Sequence, residues 1–206
     1  MGIMFVFGLF LAYFLGSIPS AVWIGKWLKG IDVRQHGSKN AGATNTFRVL
    51  GKGVAIPVLL IDIAKGVAAV GVMAVWAPED FGFLPQILAG IAAVLGHVFP
   101  IFANFNGGKG VATLMGVGLM LYPPAALASL GIFIMVFAIG KFVSLGSISA
   151  AVSYPIWILW VFAIEDVYLC NFAVLIAVVV VVTHKNNIKR LLNGQEKKIS
   201  FSSKKR

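Results

Sequence analysis

Cysteine is nearly absent. Cys170 is the only one in 206 residues, and a lone thiol in an apolar run supports neither an intrachain disulfide nor a thiolate metal site. Histidine is almost as rare, and His36, His97 and His184 show no helical ligand spacing, so neither a metal nor any other cofactor is expected. Acidic residues number seven against seventeen lysines and arginines. No basic residue precedes Lys26, so the apolar N-terminus lacks the positive start of a cleaved signal peptide and reads as a membrane span. Charge of either sign makes up 12% of the chain while 59% is hydrophobic, and the mean hydropathy of +0.93 excludes an ordinary soluble domain.

The net charge of +10 does not point to nucleic acid. Cations gather in residues 26–52 and 185–206, aromatics lie mainly in the apolar runs, and the acidic pairs Glu79-Asp80 and Glu165-Asp166 stand apart from the cations. Such segregation follows the positive-inside rule and puts the basic side in the cytoplasm, so no nucleic acid partner is expected. The apolar runs predict helices over residues 3–28, broken at Gly16-Ser17-Ile18-Pro19-Ser20, then 54–76, 83–99, 111–139 with a break at Pro123-Pro124, 144–164 and 167–183. Pro78-Glu79-Asp80-Phe81-Gly82 reads as an external turn.

The expected fold is all-α: a polytopic integral membrane protein with about seven transmembrane helices, or five and a re-entrant hairpin. Its N-terminus would lie outside and its C-terminus in the cytoplasm. One transmembrane domain over residues 1–196 and a basic, disordered tail over 197–206 are expected, as a monomer. Asp62 and Lys65, three apart on one helical face, are expected to pair and face the interior, because unpaired charge at that depth is costly.

Three polar islands interrupt the apolar chain. The first runs from Gly37 to Arg48, and alone it suits a solvated turn as well as a ligand site. The second, Asn104 to Thr113, sets Gly107, Gly108 and Gly110 around Lys109, which suits an anion held by backbone, a cation and the start of the next helix. It is not a Walker loop, since the first glycine of that motif would fall at Ala103 and Lys109 is followed by glycine. The third, His184 to Glu196, combines His184 and Asn187 with a short amphipathic basic helix. Topology would put all three on the cytoplasmic side, and together they are expected to form one anion pocket there.

With these stretches in view, the chain resembles the bacterial acyl-phosphate:glycerol-3-phosphate acyltransferases, the PlsY family. Gly37 to Arg48 meets its GSxNxGATNxxR motif, Gly96 to Thr113 its GHxxPxFxxFxGGKGVAT motif, and His184 to Glu196 its HxxNIxRLxxGxE motif. The resemblance implies acyl transfer from acyl phosphate to the sn-1 hydroxyl of glycerol 3-phosphate, giving lysophosphatidic acid and phosphate, at a cytoplasmic-side site. It implies that Ser38, Arg48, Lys109, His184 and Asn187 carry catalysis, and that Gly37, Asn40, Thr44, Asn45, Gly107, Gly108 and Gly110 bind phosphate or substrate. Glu196 would fix the tail. Lys39 stands where the family often has glycine, and Asn106 where it often has lysine.

The chemistry agrees. An acyl phosphate carries its own leaving group, so two anions held in line with positive charge beside them suffice, without an acyl-enzyme. No Gly-x-Ser-x-Gly elbow is present, and no histidine has aspartate five residues on, those positions being Ala41, Phe102 and Lys189. The proton of the attacking hydroxyl goes either to His184 or to a substrate phosphate, the latter being preferred here. His97 reads as structural and His36 as solvated. A transporter for an organic anion is the competing reading, and a lipid-binding scaffold that uses only the basic tail is a third.

Overall fold

The computed structural model describes residues 2–77 and 81–199; Pro78, Glu79 and Asp80 of the expected external turn lie outside the described residues. Ten α-helices and no strand are found among the described residues. They are α1 (Ile3–Gly16), α2 (Ser20–Lys29), α3 (Ala43–Leu50), α4 (Lys52–Trp76), α5 (Leu84–Val98), α6 (Val111–Leu121), α7 (Pro123–Gly140), α8 (Val143–Ile156), α9 (Val167–Thr183) and α10 (Lys185–Leu192). Alpha-helix 8 runs on into a π-helical turn over Trp157–Val161.

Five segments are long and apolar enough to cross a membrane: Ile3–Lys29, Lys52–Trp76, Leu84–Ala103, Pro123–Gly140 and Val143–Val161. A sixth is reached if α9 and α10, bent by 61° at their junction, count as one. Alpha-helix 6 is apolar but has 11 residues. At about 1.5 Å per residue it spans roughly half of a ~30 Å hydrocarbon core. The interruption before Pro123 is therefore real, because proline has no N–H to continue the previous helix.

The chain divides into two compact units, Met1–Pro123 with Asp166–Leu169, and Pro124–Glu165 with Cys170–Arg206. In the first, α1, α4 and α5 pack around Phe5, Ala12, Ala69, Met73, Ala89 and Ala93. Apolar surface gains little by leaving lipid for protein, so close packing through small residues has to hold such helices together. A Cβ at Gly16 would overlap the Ala93 carbonyl, and one at Gly96 the Tyr13 carbonyl, so α1 and α5 touch backbone to backbone. Gly66 and Gly116 do the same for α4 and α6.

The break between α1 and α2 also positions a polar side chain. It brings Ser20 to Asp62, where Ser20 Oγ donates to Asp62 Oδ1 at 2.8 Å. Lys65 Nζ sits 2.9 Å from the same oxygen and donates to the Ile18 carbonyl at 3.2 Å. Asp62 and Lys65 are 1% and 4% exposed, so the pair expected from their i,i+3 spacing is present and interior.

In the second unit the Ser153 and Ser129 hydroxyls lie 3.3 Å apart, joining α8 to α7. Of the tail expected over residues 197–206, Lys197, Lys198 and Ile199 are described, and residues 200–206 lie outside the described residues. Ile199 is buried and its N–H donates to the Lys141 carbonyl at 2.9 Å, while Lys198 lies over the Phe142 ring, 5.3 Å from its centroid.

Replacing Asp62 by alanine leaves Lys65 as an uncompensated buried cation, with an expected cost of about 3 to 5 kcal/mol. Thermal unfolding in detergent measures it, and the Asp62→Ala/Lys65→Met double variant is expected to recover much of the loss. Equal destabilisation of single and double variants would show that pairing is not what the two charges contribute.

Candidate active site

The first polar island is half loop and half helix. Gly37, Ser38 and Asn40 lie in the turn, whereas Thr44, Asn45 and Arg48 belong to α3, which begins after the extended Gly42. Gly37 has φ +62°, and a Cβ there would overlap Asn45 Oδ1. Asn45 is 1% exposed, and both ends of its amide serve the loop. Its oxygen accepts from Ser38 N–H at 2.7 Å, and its nitrogen donates to the Val33 and His36 carbonyls at 2.8 and 3.1 Å. Asn45 thus shapes the turn that presents the exposed Ser38. Lys39 has φ +61°, the left-handed region that favours glycine.

Just upstream, Asp32 caps the 3-10 turn Val33–Gln35. It accepts from Arg34 N, Nε and Nη2 at 3.0, 3.0 and 2.8 Å, with Lys26 Nζ at 3.4 Å. Hydrogen bonding by the Arg34 side chain, against the opposing effect of burial, holds the Asp32 carboxyl well below the usual carboxylate range. Arg34 Nη1 then donates to the Ala103 carbonyl at 2.8 Å, tying the first island to the segment that leads into the second. Ala41 N–H reaches the Gly107 carbonyl at 3.5 Å, a second tie. Arg34 lies outside the motif; its only sequence signal is a cation two residues after an aspartate.

The second island turns back onto the end of α5. Gly107 N–H donates to the Val98 carbonyl at 3.2 Å and Gly108 N–H to the His97 carbonyl at 3.1 Å. These two N–H groups are therefore engaged by protein, and the donors at this turn fall to Lys109 and the first turn of α6, which opens at Gly110 with φ +80°. The glycines are required for closeness to protein. A Cβ at Gly107 would overlap the His97 carbonyl, and one at Gly108 the His97 ring. Ser20, Ala41, Asp62, Lys65, His97 and Gly107 line a small cleft beneath the turn. Arg48 and Lys109 are half-buried in this unit.

In the second unit, buried His184 stands at the bend between α9 and α10. Its Nδ1 lies 2.8 Å from the Val180 carbonyl. A carbonyl only accepts, so Nδ1 carries a proton, which leaves Nε2 as the nitrogen able to accept when the ring is neutral. Asn187 Nδ2 donates to Glu196 Oε1 at 2.7 Å, Ser144 Oγ donates to the same oxygen at 2.8 Å, and Arg190 Nε donates to Oε2 at 2.7 Å. Glu196 fixes the tail, as its position in the third island suggests, and it also sets the Asn187 amide. His36 is exposed and 3.3 Å from the Asp32 carbonyl. His97, read from sequence as structural, is drawn into the cleft with Asp62 and Lys65.

Burial raises the Glu196 carboxyl, but the hydrogen bonds from Arg190, Asn187 and Ser144 outweigh it, leaving its pKa below the ordinary glutamate value. A folded pKa below the unfolded one stabilises the tail above the ordinary glutamate pKa, and the gain is lost as pH falls through the folded value. Glu196→Ala is expected to loosen the tail by about 2 kcal/mol, read as faster amide exchange at Ile199 and Asn187. Lowering the pH of the unsubstituted protein should act in the same direction.

The family model for glycerol-3-phosphate acyltransferase matches residues 6–194. A glycerol-3-phosphate acyltransferase of Fusobacterium nucleatum subsp. nucleatum is 47% identical over 191 residues, covering 93% of this chain and 96% of the relative. One from Chlorobaculum tepidum is 42% identical, with 94% and 95% covered. The crystal structure of PlsY, an integral membrane glycerol 3-phosphate acyltransferase, in its glycerol 3-phosphate form matches with TM-score 0.87 and 37% identity, covering 95% of this chain and 96% of that one. Its lysophosphatidic acid form matches with TM-score 0.84 and 36% identity, covering 95% of each. This all-helical membrane chain, with its three polar islands, belongs to the PlsY family of glycerol-3-phosphate acyltransferases.

Proposed function

We propose that the protein takes acyl phosphate as donor and acylates the sn-1 hydroxyl of glycerol 3-phosphate, releasing lysophosphatidic acid and inorganic phosphate. The hydroxyl oxygen attacks the acyl carbon, the new ester C–O bond forms, the C–O bond to phosphate breaks, and the hydroxyl proton leaves on a phosphate oxygen. Arg48 and Lys109 offset the negative charge that grows on the departing phosphate. Ser38, Asn40, Thr44 and the turn over Gly107, Gly108 and Gly110 shape the phosphate-binding surface around them, with Gly37 and Asn45 holding the Ser38 turn. His184 and Asn187 hold the glycerol phosphate, with His184 Nε2 accepting a hydrogen bond from substrate. The protein works as a monomer in the inner membrane, with seven spans, its site on the cytoplasmic face and its C-terminus on the same side.

The observation that carries this reading is the pair of ties, Arg34 to Ala103 and Ala41 to Gly107, that joins the first island to the second within one unit. Two separate cation-bearing loops tied together suit a doubly charged phosphate better than solvent-exposed turns do. The glycerol 3-phosphate and lysophosphatidic acid forms of the related structure agree with the substrate and product named.

The purified protein, given glycerol 3-phosphate with acyl phosphate or with acyl-CoA, is expected to make lysophosphatidic acid from acyl phosphate alone. Product from acyl-CoA would overturn the donor, and uptake of glycerol 3-phosphate into sealed vesicles without any product would favour an anion carrier. Arg48→Ala and Lys109→Ala are each expected to slow turnover about a hundred- to a thousand-fold, equivalent to roughly 3 to 4 kcal/mol. His184→Gln keeps a hydrogen-bonding group but no base, so substantial residual turnover is expected if substrate phosphate takes the proton.

A further inference from the structure

One buried polar cluster lies outside the three islands' proposed substrate contacts. Asp62 Oδ1 is met by Ser20 Oγ at 2.8 Å, by Lys65 Nζ at 2.9 Å and by His97 Nδ1 at 3.5 Å. All four residues are buried, and they come from three elements: the start of α2, the middle of α4 and the end of α5. His97 Nδ1 makes no hydrogen bond among the described residues, and the Asp62 carboxylate, 3.5 Å away, is the anionic group it faces. An ion pair needed only for stability would be complete with Lys65 and Ser20.

The other side of His97 meets the glycine turn. Its carbonyl accepts Gly108 N–H at 3.1 Å. The three atoms nearest to a Cβ built at Gly108 are Nε2, Cε1 and Cδ2, all of the His97 ring. At Gly107 the obstacles differ: the His97 and Val98 carbonyls and Pro100 Cδ. The ring therefore forms the floor under Gly108, and the carboxylate of Asp62 stands behind it.

We propose that Asp62 and His97 are positioning residues for acyl transfer, with Asp62 orienting the His97 ring and His97 setting the turn that aims Lys109 and the first turn of α6 at a substrate phosphate. The inference rests on the acyltransferase reading of the site. A fixed cation lowers the barrier only if it is held where charge develops, and small displacements are costly. The same contact accounts for glycine at 108, where φ is not positive and no backbone constraint demands it.

The test uses the full-length protein in detergent with acyl phosphate and glycerol 3-phosphate, and compares Gly108→Ala and Gly107→Ala, each alone and combined with His97→Ala. Gly108→Ala is expected to lose about tenfold or more in kcat/KM, and removing the ring should restore a several-fold part of that loss, the signature of two groups in direct contact. Gly107→Ala should not be restored, because the atoms it strikes survive His97→Ala. His97→Ala alone should raise the KM for one phosphate substrate more than it lowers kcat. Asp62→Asn should shift the same KM, and combining it with His97→Ala should add little. Unfolding midpoints separate misfolded variants from repositioned ones.

The proposal is overturned if His97→Ala leaves Gly108→Ala equally impaired, if it rescues both glycine variants alike, or if both KM values stay unchanged in His97→Ala. Should the unsubstituted protein make no lysophosphatidic acid, the acyltransferase reading fails separately. Inorganic phosphate affinity measured by calorimetry on the same variants then carries the same comparison, with the same rescue expected and its absence overturning the proposal.

Discussion

Burial of charge in an apolar medium is the constraint on which the first unit depends. A carboxylate inside membrane-spanning helices survives only if its partners come from the protein, and Asp62 finds them on three separate segments. Satisfying it therefore dictates where α1 must break and where the end of α5 must come. The break at Ser17 to Pro19 lets Ser20 reach the carboxylate, and the same geometry brings His97 into the cleft.

Backbone contact does the rest. The glycines that let α1 touch α5 and α4 touch α6 remove the side-chain layer between helices, so that polar groups a few ångströms apart cannot drift. The second island inherits this rigidity through the Gly107 and Gly108 hydrogen bonds to the end of α5. The first inherits it through Arg34 and Ala41. Placing loops on a rigid floor is how a flexible polar segment acquires the precision that phosphate chemistry requires.

Several residues of the three islands also bond to their own protein framework. Asn45 spends its amide on the loop, and Gly107 and Gly108 spend their N–H groups on α5. Asn187 is held by Glu196, which Arg190 and Ser144 also bind. In each case a polar residue that reads as a ligand contact also supports the shape of its own loop, a second role that a one-dimensional pattern does not reveal.

Hydropathy and charge placement alone determine that this chain is helical and membrane-embedded, because 20-residue apolar runs and segregated lysines have few other physical solutions. Three ordered motifs determine the family, and i,i+3 spacing determines the Asp62 to Lys65 pair, since helix geometry alone puts those side chains on one face. Only the tertiary structure decided that Ser20, 42 residues earlier, and His97, on another helix, join that pair, and that glycine 108 is small for the sake of a histidine ring. Such contacts depend on how helices approach through space, and sequence separation carries no record of that approach.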